Sequence, residues 1–273
     1  MLQEESPWYV RFRHEELDLV TTTRKNGNML YGATGSCLDT TAVAGNYRRL
    51  GEASGIALER MVRVLLEHGD KILEADGSSG GEGVLPDRQN LKGFDGLITG
   101  ERGLYLGITT ADCFPVVIQD RRKGLLGIVH CGWRGIALRL EAQLFRRMVA
   151  LGCRPENMRV IYGPGICPDC YVQSDALLKR VFQDDLECPR AVIPRGGGYY
   201  GIDLQRASRE NLRRAGFPGE ILDAGICNSC DPRFFSVRRE GSETGRMVTL
   251  AALWNGADPA PDPGERALPP WAE

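Results

Sequence analysis

Two apolar runs dominate the middle of the chain, Phe114–Gln119 (FPVVIQ) and Gly124–His130 (GLLGIVH), on either side of the polar tetrapeptide Asp120-Arg121-Arg122-Lys123. A strand that is apolar at nearly every position has no face to give to water. Joined as a hairpin, the two runs must be covered above and below, which puts them in the centre of a sheet with a layer on each side.

The rest of the chain supplies the covering layers. Strands are expected at residues 8–13 and 18–23, Met61–Leu66, Leu104–Thr109, Arg159–Tyr162, Ile221–Ile226 and Arg246–Leu253. Helices are expected at Ala42–Gly55, at Ile136–Leu151 and at Asp203–Ala215 before Gly216. In the second, Ala137, Leu140, Leu144, Met148 and Leu151 share one face and Gly152 stands as a C-terminal cap. Strands and helices do not alternate regularly, so the expectation is α+β: one domain over residues 1–254, with mixed β-sheets flanked by helices. Asp76–Asn90, rich in Gly and Ser, reads as a long mobile loop. Residues 255–273 hold five of the fifteen prolines and read as a flexible tail.

A formal net charge of −2 over 273 residues leaves no broad basic surface for nucleic acid. The N-terminal stretch lacks the apolar core of a signal peptide, and no run approaches the ~18 apolar residues of a membrane span. The expectation is a cytoplasmic chain with reduced thiols and no membrane partner. Nine cysteines stand against three histidines, His14, His68 and His130. A multicopper centre, built mainly from imidazoles, is beyond one such chain.

If the hairpin pairs symmetrically, Gln119 faces Gly124 and Cys113 faces His130. Directly opposed Cβ atoms lie about 4.5–5.5 Å apart. That distance suits a thiolate and an imidazole sharing Zn²⁺. It equally suits a Cys113 nucleophile with His130 as its base, or a buried thiol beside a histidine that merely ends a strand. Arg134, next to the start of the following helix, favours an anion site close by. For a third metal ligand, His14 lies in the polar run RFRHEE and reads as surface, whereas His68 follows an apolar strand. His68, Cys113 and His130 would leave a fourth zinc position open; the same set with a weak axial Met would suit copper. Asp112, beside Cys113, could act as a proton-carrying carboxylate only if the backbone turns there; otherwise it would serve as a turn or cap acceptor.

Cys167-Pro168-Asp169-Cys170 and Cys227-Asn228-Ser229-Cys230 repeat one pattern, with a gap of 56 residues between them. Separate thiols lining loops are the first expectation here, a structural Cys₄ zinc site the second and a redox pair the third.

Thr110-Ala111-Asp112-Cys113, His130-Cys131-Gly132-Trp133-Arg134-Gly135, Gly163-Pro164-Gly165-Ile166 through Tyr171, Cys227 to Asp231, and Phe235-Ser236 through Thr244-Gly245-Arg246-Met247 occur in order. Together they resemble the YfiH/LACC1 (DUF152) family, once labelled multicopper polyphenol oxidase. The resemblance implies an α+β fold similar to the catalytic domain of cytotoxic necrotizing factor. It implies zinc at His68, Cys113 and His130, with copper the lesser alternative. It further implies purine nucleoside phosphorylase activity on adenosine, inosine, guanosine or methylthioadenosine, with adenosine deaminase activity beside it. Purine nucleosides and phosphate would be the partners. The family's Gln-x-His-Gly is here Leu66-Glu67-His68-Gly69, its Asn-Arg pair reads Asn46-Tyr47 with Arg48 one place later, and Cys167 is outside its usual pattern. On this reading Cys113, His130 and Asp112 are the catalytic candidates, and Arg134, Arg48 and Arg246 the phosphate-binding ones. A metal-free Cys113–His130 hydrolase and a mononuclear copper oxidase are the alternatives.

Overall fold

The central hairpin forms, and both of its faces are buried. In the computed structural model, which describes residues 2–32 and 40–254, Phe114–Asp120 and Leu125–Cys131 pair antiparallel in the middle of a six-stranded sheet. That sheet runs in the order Glu220–Asp223, Met158–Tyr162, Phe114–Asp120, Leu125–Cys131, Gly96–Thr99 and Ile72–Glu74. A second six-stranded sheet runs Leu2–Glu5, Tyr9–His14, Leu17–Thr22, Met247–Leu253, Tyr105–Thr110 and Met61–Arg63. Both mix parallel and antiparallel pairs, and a three-stranded sheet (Val172–Gln173, Tyr199–Ile202, Val192–Gly196) lies beside them. Residues 255–273, read above as a tail, lie outside the described residues.

The alternation of side chains along the hairpin assigns its two faces. Val117, Leu126 and Ile128 pack with Phe12, Leu19, Leu106 and Ile108 of the other sheet. Val116, Ile118 and Val129 pack under Leu140, Leu144, Met148 and Leu212, which belong to the helices Leu140–Ala150 and Leu204–Arg214. On the outer face of the other sheet, Val20, Met61 and Leu250 meet Val43, Tyr47 and Leu50 of the helix Thr40–Ser54. The layers therefore run helix, sheet, sheet, helix pair, an α+β architecture with two β-layers facing each other.

The hairpin register differs from the symmetrical one. Asp120 pairs with Leu125 and Pro115 with His130, so the turn is Arg121–Gly124 and the register is displaced by two residues. The Asp120 carboxylate accepts the N–H groups of Arg122 and Lys123 at 2.8 and 2.9 Å. Gly124 closes the turn at φ +67°, a conformation open to glycine at little cost. Because strand side chains alternate with period two, a two-residue displacement keeps every side chain on its expected face.

Three other expectations are corrected. The helix begins three residues early, at Trp133, and breaks: Trp133–Ala137 and Leu140–Ala150 are separated at Arg139, whose φ is +55°. The Ile136 carbonyl at the break accepts the Asn211 side chain at 3.0 Å. The strand Met61–Leu66 is shorter, Met61–Arg63. Residues 76–90 are not a free loop in the described structure. Val84 is buried, the Arg63 N–H donates to the Glu82 carbonyl at 2.8 Å, and the buried Arg63 guanidinium donates to the Gly83 carbonyl at 2.8 Å and to Gln89 at 3.2 Å.

Glu141 is wholly buried against Asn211, which donates to it at 2.8 Å. Burial pushes its carboxyl up to about 7, against the hydrogen bonds from Asn211 and Ser208. The folded form therefore holds a proton that the unfolded chain releases near pH ~4.3. Stability from this group is full at low pH and falls as pH rises, by roughly 3 kcal/mol once the buried carboxylate is ionised. Glu141→Gln should therefore be more stable than the parent above pH ~7 by up to that amount, with little difference near pH ~4. Urea denaturation of both proteins at acid and alkaline pH measures it; an unchanged difference between the two would refute the assignment.

Candidate functional site

The chain crosses from one sheet to the other between Thr110 and Phe114, and the residues that make the crossing are Ala111, Asp112 and Cys113. Asp112 turns the backbone at φ +101°, a strained conformation for a residue with a side chain, costing on the order of 1–3 kcal/mol. Its contacts offset that cost. The carboxylate accepts Ser236 Oγ–H and the Arg238 N–H, each at 2.6 Å, and its carbonyl accepts the Ile166 N–H at 2.8 Å. Asp112 thus caps the short helix Val237–Glu240, and the turn puts Asp112 and Cys113 on the wall of one cavity. Burial raises the Asp112 carboxyl above its ordinary range despite the bonds from Ser236 and Arg238.

His130 ends its strand on the face directed at the other sheet. Its N–H donates to the Asp95 carbonyl at 2.8 Å, and its Nδ1 lies 3.2 Å from Asp95 Oδ1. The same carboxylate accepts the backbone N–H groups of Glu67, His68 and Gly69 at 3.2, 2.9 and 2.7 Å. One carboxylate, 1% exposed, therefore holds both the ring of His130 and the backbone of His68, which itself sits at φ +59°. The two rings lie 5.0 Å apart, centroid to centroid, at 79°. Burial opposes a charge on His130, but the Cys113 sulfur and the Asp95 carboxylate outweigh it and push the imidazole up to about 9. His68 moves the other way, lowered by burial and by His130 beside it. Gly132 is required here: a Cβ on it would lie 2.6 Å from Cys113 Sγ.

His68, Asp112, Cys113 and His130 line a cavity of about 600 Å³, together with Tyr171, Arg238 and Arg246. That size suits a small ligand. A larger depression of about 820 Å³ lies between Glu187–Arg190 and Arg206–Arg213 and shares no lining residue with it; ion-paired Arg and Glu side chains give it no comparable chemistry.

The candidate arginines separate. Arg246 is on the cavity wall, facing the charges of Cys113 and Asp112, and its guanidinium donates to the carbonyls of Thr244, Gly245 and Ser242. Arg134 is exposed and stacks on Trp133 at 4.6 Å; its charge reaches His68, but it does not line the cavity. Arg48 lines a different cavity of about 360 Å³, with Thr40, Ala44 and Leu58. Tyr171 closes one of the family-like motifs, whereas Asp95 and Arg238 are not candidates on sequence grounds. No local pattern announces them, since Asp95 meets His130 across 35 residues and Arg238 meets Asp112 across 126.

His68, Cys113 and His130 are donors that zinc accepts, and the carboxylate behind His130 is the support a zinc-bound imidazole ordinarily has. His14 is elsewhere, with Nδ1 2.6 Å from the Arg159 guanidinium. No methionine is among the described residues that line the cavity, so the axial ligand of a blue-copper site is lacking. The tightest cluster of ligand atoms lies outside the cavity. Among the described residues, Cys167, Cys170, Cys227 and Cys230 are the group of metal-ligand type whose donor atoms all lie within 4.8 Å of one another. The expectation of separate thiols is therefore corrected: two loops meet in space through a parallel bridge between Gly165 and Cys227.

The family described as multi-copper polyphenol oxidoreductase laccase matches residues 21–254. The chain belongs to this family. Among its relatives, the purine nucleoside phosphorylase of Deinococcus radiodurans is 33% identical over 215 residues, 79% of each chain. The purine nucleoside phosphorylase YlmD of Geobacillus stearothermophilus is 34% identical over 78% of this chain and 79% of that one. Adenosine deaminase RL5, from an unknown prokaryotic organism, is 29% identical over 71% of this chain and 76% of its own. The crystal structure of YlmD from Geobacillus stearothermophilus superposes with a TM-score of 0.79, covering 92% of this chain and 98% of that one at 32% identity. The Bacillus licheniformis protein YfiH gives the same score at 27% identity, over 91% and 97%. The YfiH-type fold and family expected from the motifs are thus confirmed, and the named relatives are enzymes. Among the described residues no helix is long and apolar enough to cross a membrane.

Proposed function

We propose that the cavity binds a purine nucleoside with phosphate and catalyses phosphorolysis of the glycosidic bond, with adenosine deamination as a second activity of the same site. The observation that carries this reading is the meeting of His68, Cys113 and His130 with the Arg246 cation on the walls of one cavity. The names of the relatives point the same way. Arg246 is the residue for the phosphate, a cation already fixed by carbonyl contacts and so partly pre-organised. Arg134 adds positive potential from outside the wall, while Arg48 has no contact role in this reading. Asp95 holds the proton of His130 on Nδ1, which leaves Nε2 as the nitrogen that would bind the metal. Asp112, with its carboxyl pKa raised by burial, is the group suited to passing a proton to or from the purine. Zinc held by His68, Cys113 and His130 would supply Lewis acidity and a bound water of lowered pKa.

Zinc-loaded protein should release free base and ribose 1-phosphate from adenosine or inosine only when phosphate is present, and ammonia from adenosine without it. Guanosine and methylthioadenosine in the same assay rank the substrates. If neither base nor ammonia appears while the protein turns over some other substrate, the reading is wrong.

A second reading has its own observation. Asp95, His130 and Cys113 stand in series, with the thiol against an imidazole that a carboxylate orients, which is the arrangement of a Cys–His hydrolase. Loss of an acyl- or amide-hydrolysing activity in Cys113→Ser with zinc content unchanged would favour it over phosphorolysis.

A further inference from the structure

We infer that Cys167, Cys170, Cys227 and Cys230 form a tetrathiolate site for one Zn²⁺, separate from the cavity of His68, Cys113 and His130, and that this ion pins together the two loops that build one wall of the cavity.

The geometry is the first support. With Zn–S bonds of about 2.3 Å, the sulfurs of a tetrahedral site stand about 3.8 Å apart. Here Cys167 and Cys230 Sγ are 3.9 Å apart, Cys170 and Cys230 Sγ are 3.3 Å apart, and all four fall within 4.8 Å. All four are free thiols in the structure. The second support is the backbone. Each Cys-x-x-Cys closes as a tight turn, the Cys167 carbonyl accepting the N–H groups of Cys170 and Tyr171 at 3.1 and 3.0 Å, and the Cys227 carbonyl accepting that of Asp231 at 2.9 Å. The Cys167 N–H points at Cys227 Sγ at 3.2 Å, an orientation that stabilises a thiolate. Arg239 fixes the second turn through the carbonyls of Asn228, Ser229 and Asp231. Thirdly, core packing accounts for only part of the cluster: Cys170 and Cys227 touch the edge of the core, and none of the four is fully buried. Three are half-buried and Cys230 is exposed, so burial of small apolar side chains alone does not explain their convergence.

Four thiols and Zn²⁺ combine without an oxidant, releasing up to four protons to solvent. A tetrahedral set of sulfur donors is a closed, structural type of zinc site. The position gives it a purpose. The first loop continues into Tyr171, and the second into Ser236 and Arg238, which hold the Asp112 carboxylate. The Ile166 N–H of the first loop holds the Asp112 carbonyl. The turn that presents Cys113 thus rests on both loops.

Native mass spectrometry and metal analysis of the full chain test this. The double variant Cys170→Ser/Cys230→Ser should carry one zinc equivalent fewer than the parent. His68→Ala/His130→Ala should keep that equivalent, which separates this site from the cavity. Loss of the ion should lower the thermal midpoint by several degrees. Should the cysteine variant fail to fold, thiol mapping replaces it. In the parent, chelation should make these four sulfurs, located by peptide mapping, react with iodoacetamide, and one equivalent of zinc should protect them again. Unchanged zinc content in a folded cysteine variant, equal alkylation with and without zinc, iron in place of zinc, or disulfides among the four would each overturn the proposal. None of these readouts depends on the reaction catalysed in the cavity.

Discussion

On the proposed reading of the cavity as a zinc site, Asp95→Ala is expected to lower zinc affinity and turnover by about 10–100-fold. Three effects act together. The His130 ring loses the acceptor that fixes its tautomer and orientation, at 3.2 Å. The His68 loop loses the carboxylate that gathers three consecutive N–H groups. Asp95 is 1% exposed, but Glu67 and His68 are exposed and Gly69 half-buried, so water replaces part of what the carboxylate gives and each donor costs less than the ~1–3 kcal/mol of a fully buried one. Stability should fall as well, so activity is to be compared at a temperature where both proteins are folded. Asp95→Asn retains the shape and part of the accepting capacity, and should fall between the parent and the alanine variant. Zinc titration and steady-state rates on the same preparations decide it. An alanine variant with parental zinc affinity and rate would remove Asp95 from any positioning role.

Asp18→Ala should destabilise the fold by about 3–5 kcal/mol, the loss expected when one partner of a buried ion pair is deleted. Asp18 is fully buried on the strand Leu17–Thr22, paired with Arg13 on one side and Ala252 on the other. Arg11 Nε donates to it at 2.7 Å, its Nη2 donates to the second oxygen, and the Tyr105 hydroxyl donates at 2.7 Å. Arg11 is 4% exposed and would be left as a buried cation without its carboxylate partner, keeping the Ser54 carbonyl at 3.0 Å and the weaker influence of Tyr9 and Glu4. For a chain of this size the thermal midpoint should drop on the order of 10 °C. Because the penalty is the unpaired charge rather than the lost attraction, Arg11→Met/Asp18→Leu should be less damaging than Asp18→Ala alone. Chemical denaturation of the three proteins measures this. A single variant within ~1 kcal/mol of the parent would contradict it.

The legible parts of this protein are those written in short stretches of sequence. The buried hairpin follows from apolar residues at consecutive positions, and the helix Leu204–Arg214 from its periodicity between a capping Asp203 and Gly216. Cys113 is not opposite His130, which pairs with Pro115, but the shared face of the two survives a displacement of two residues because parity has period two. The displacement goes with the turn, in which the Asp120 carboxylate accepts two N–H groups and Gly124 takes a positive φ, features that the apolar pattern does not encode. Arg48 and Arg134 show the opposite case. Their motifs are local, but the distance of each from the cavity depends on how a helix is packed and where it starts.

Sequence by itself determined the residue types available for chemistry: three histidines, two Cys-x-x-Cys turns, and a Cys–His pair bracketing a buried hairpin. It determined the layered α+β class as well, since two-faced strands demand cover. Only the tertiary structure decided which of these groups meet. Asp95 reaches His130 and the His68 loop, Asp112 turns at positive φ to be held by Ser236 and Arg238, and four cysteines 63 residues apart at their extremes converge. The reason is physical. Such contacts are made by single side chains across sheets and loops, and their stabilisation depends on burial and orientation that exist only once the layers have packed.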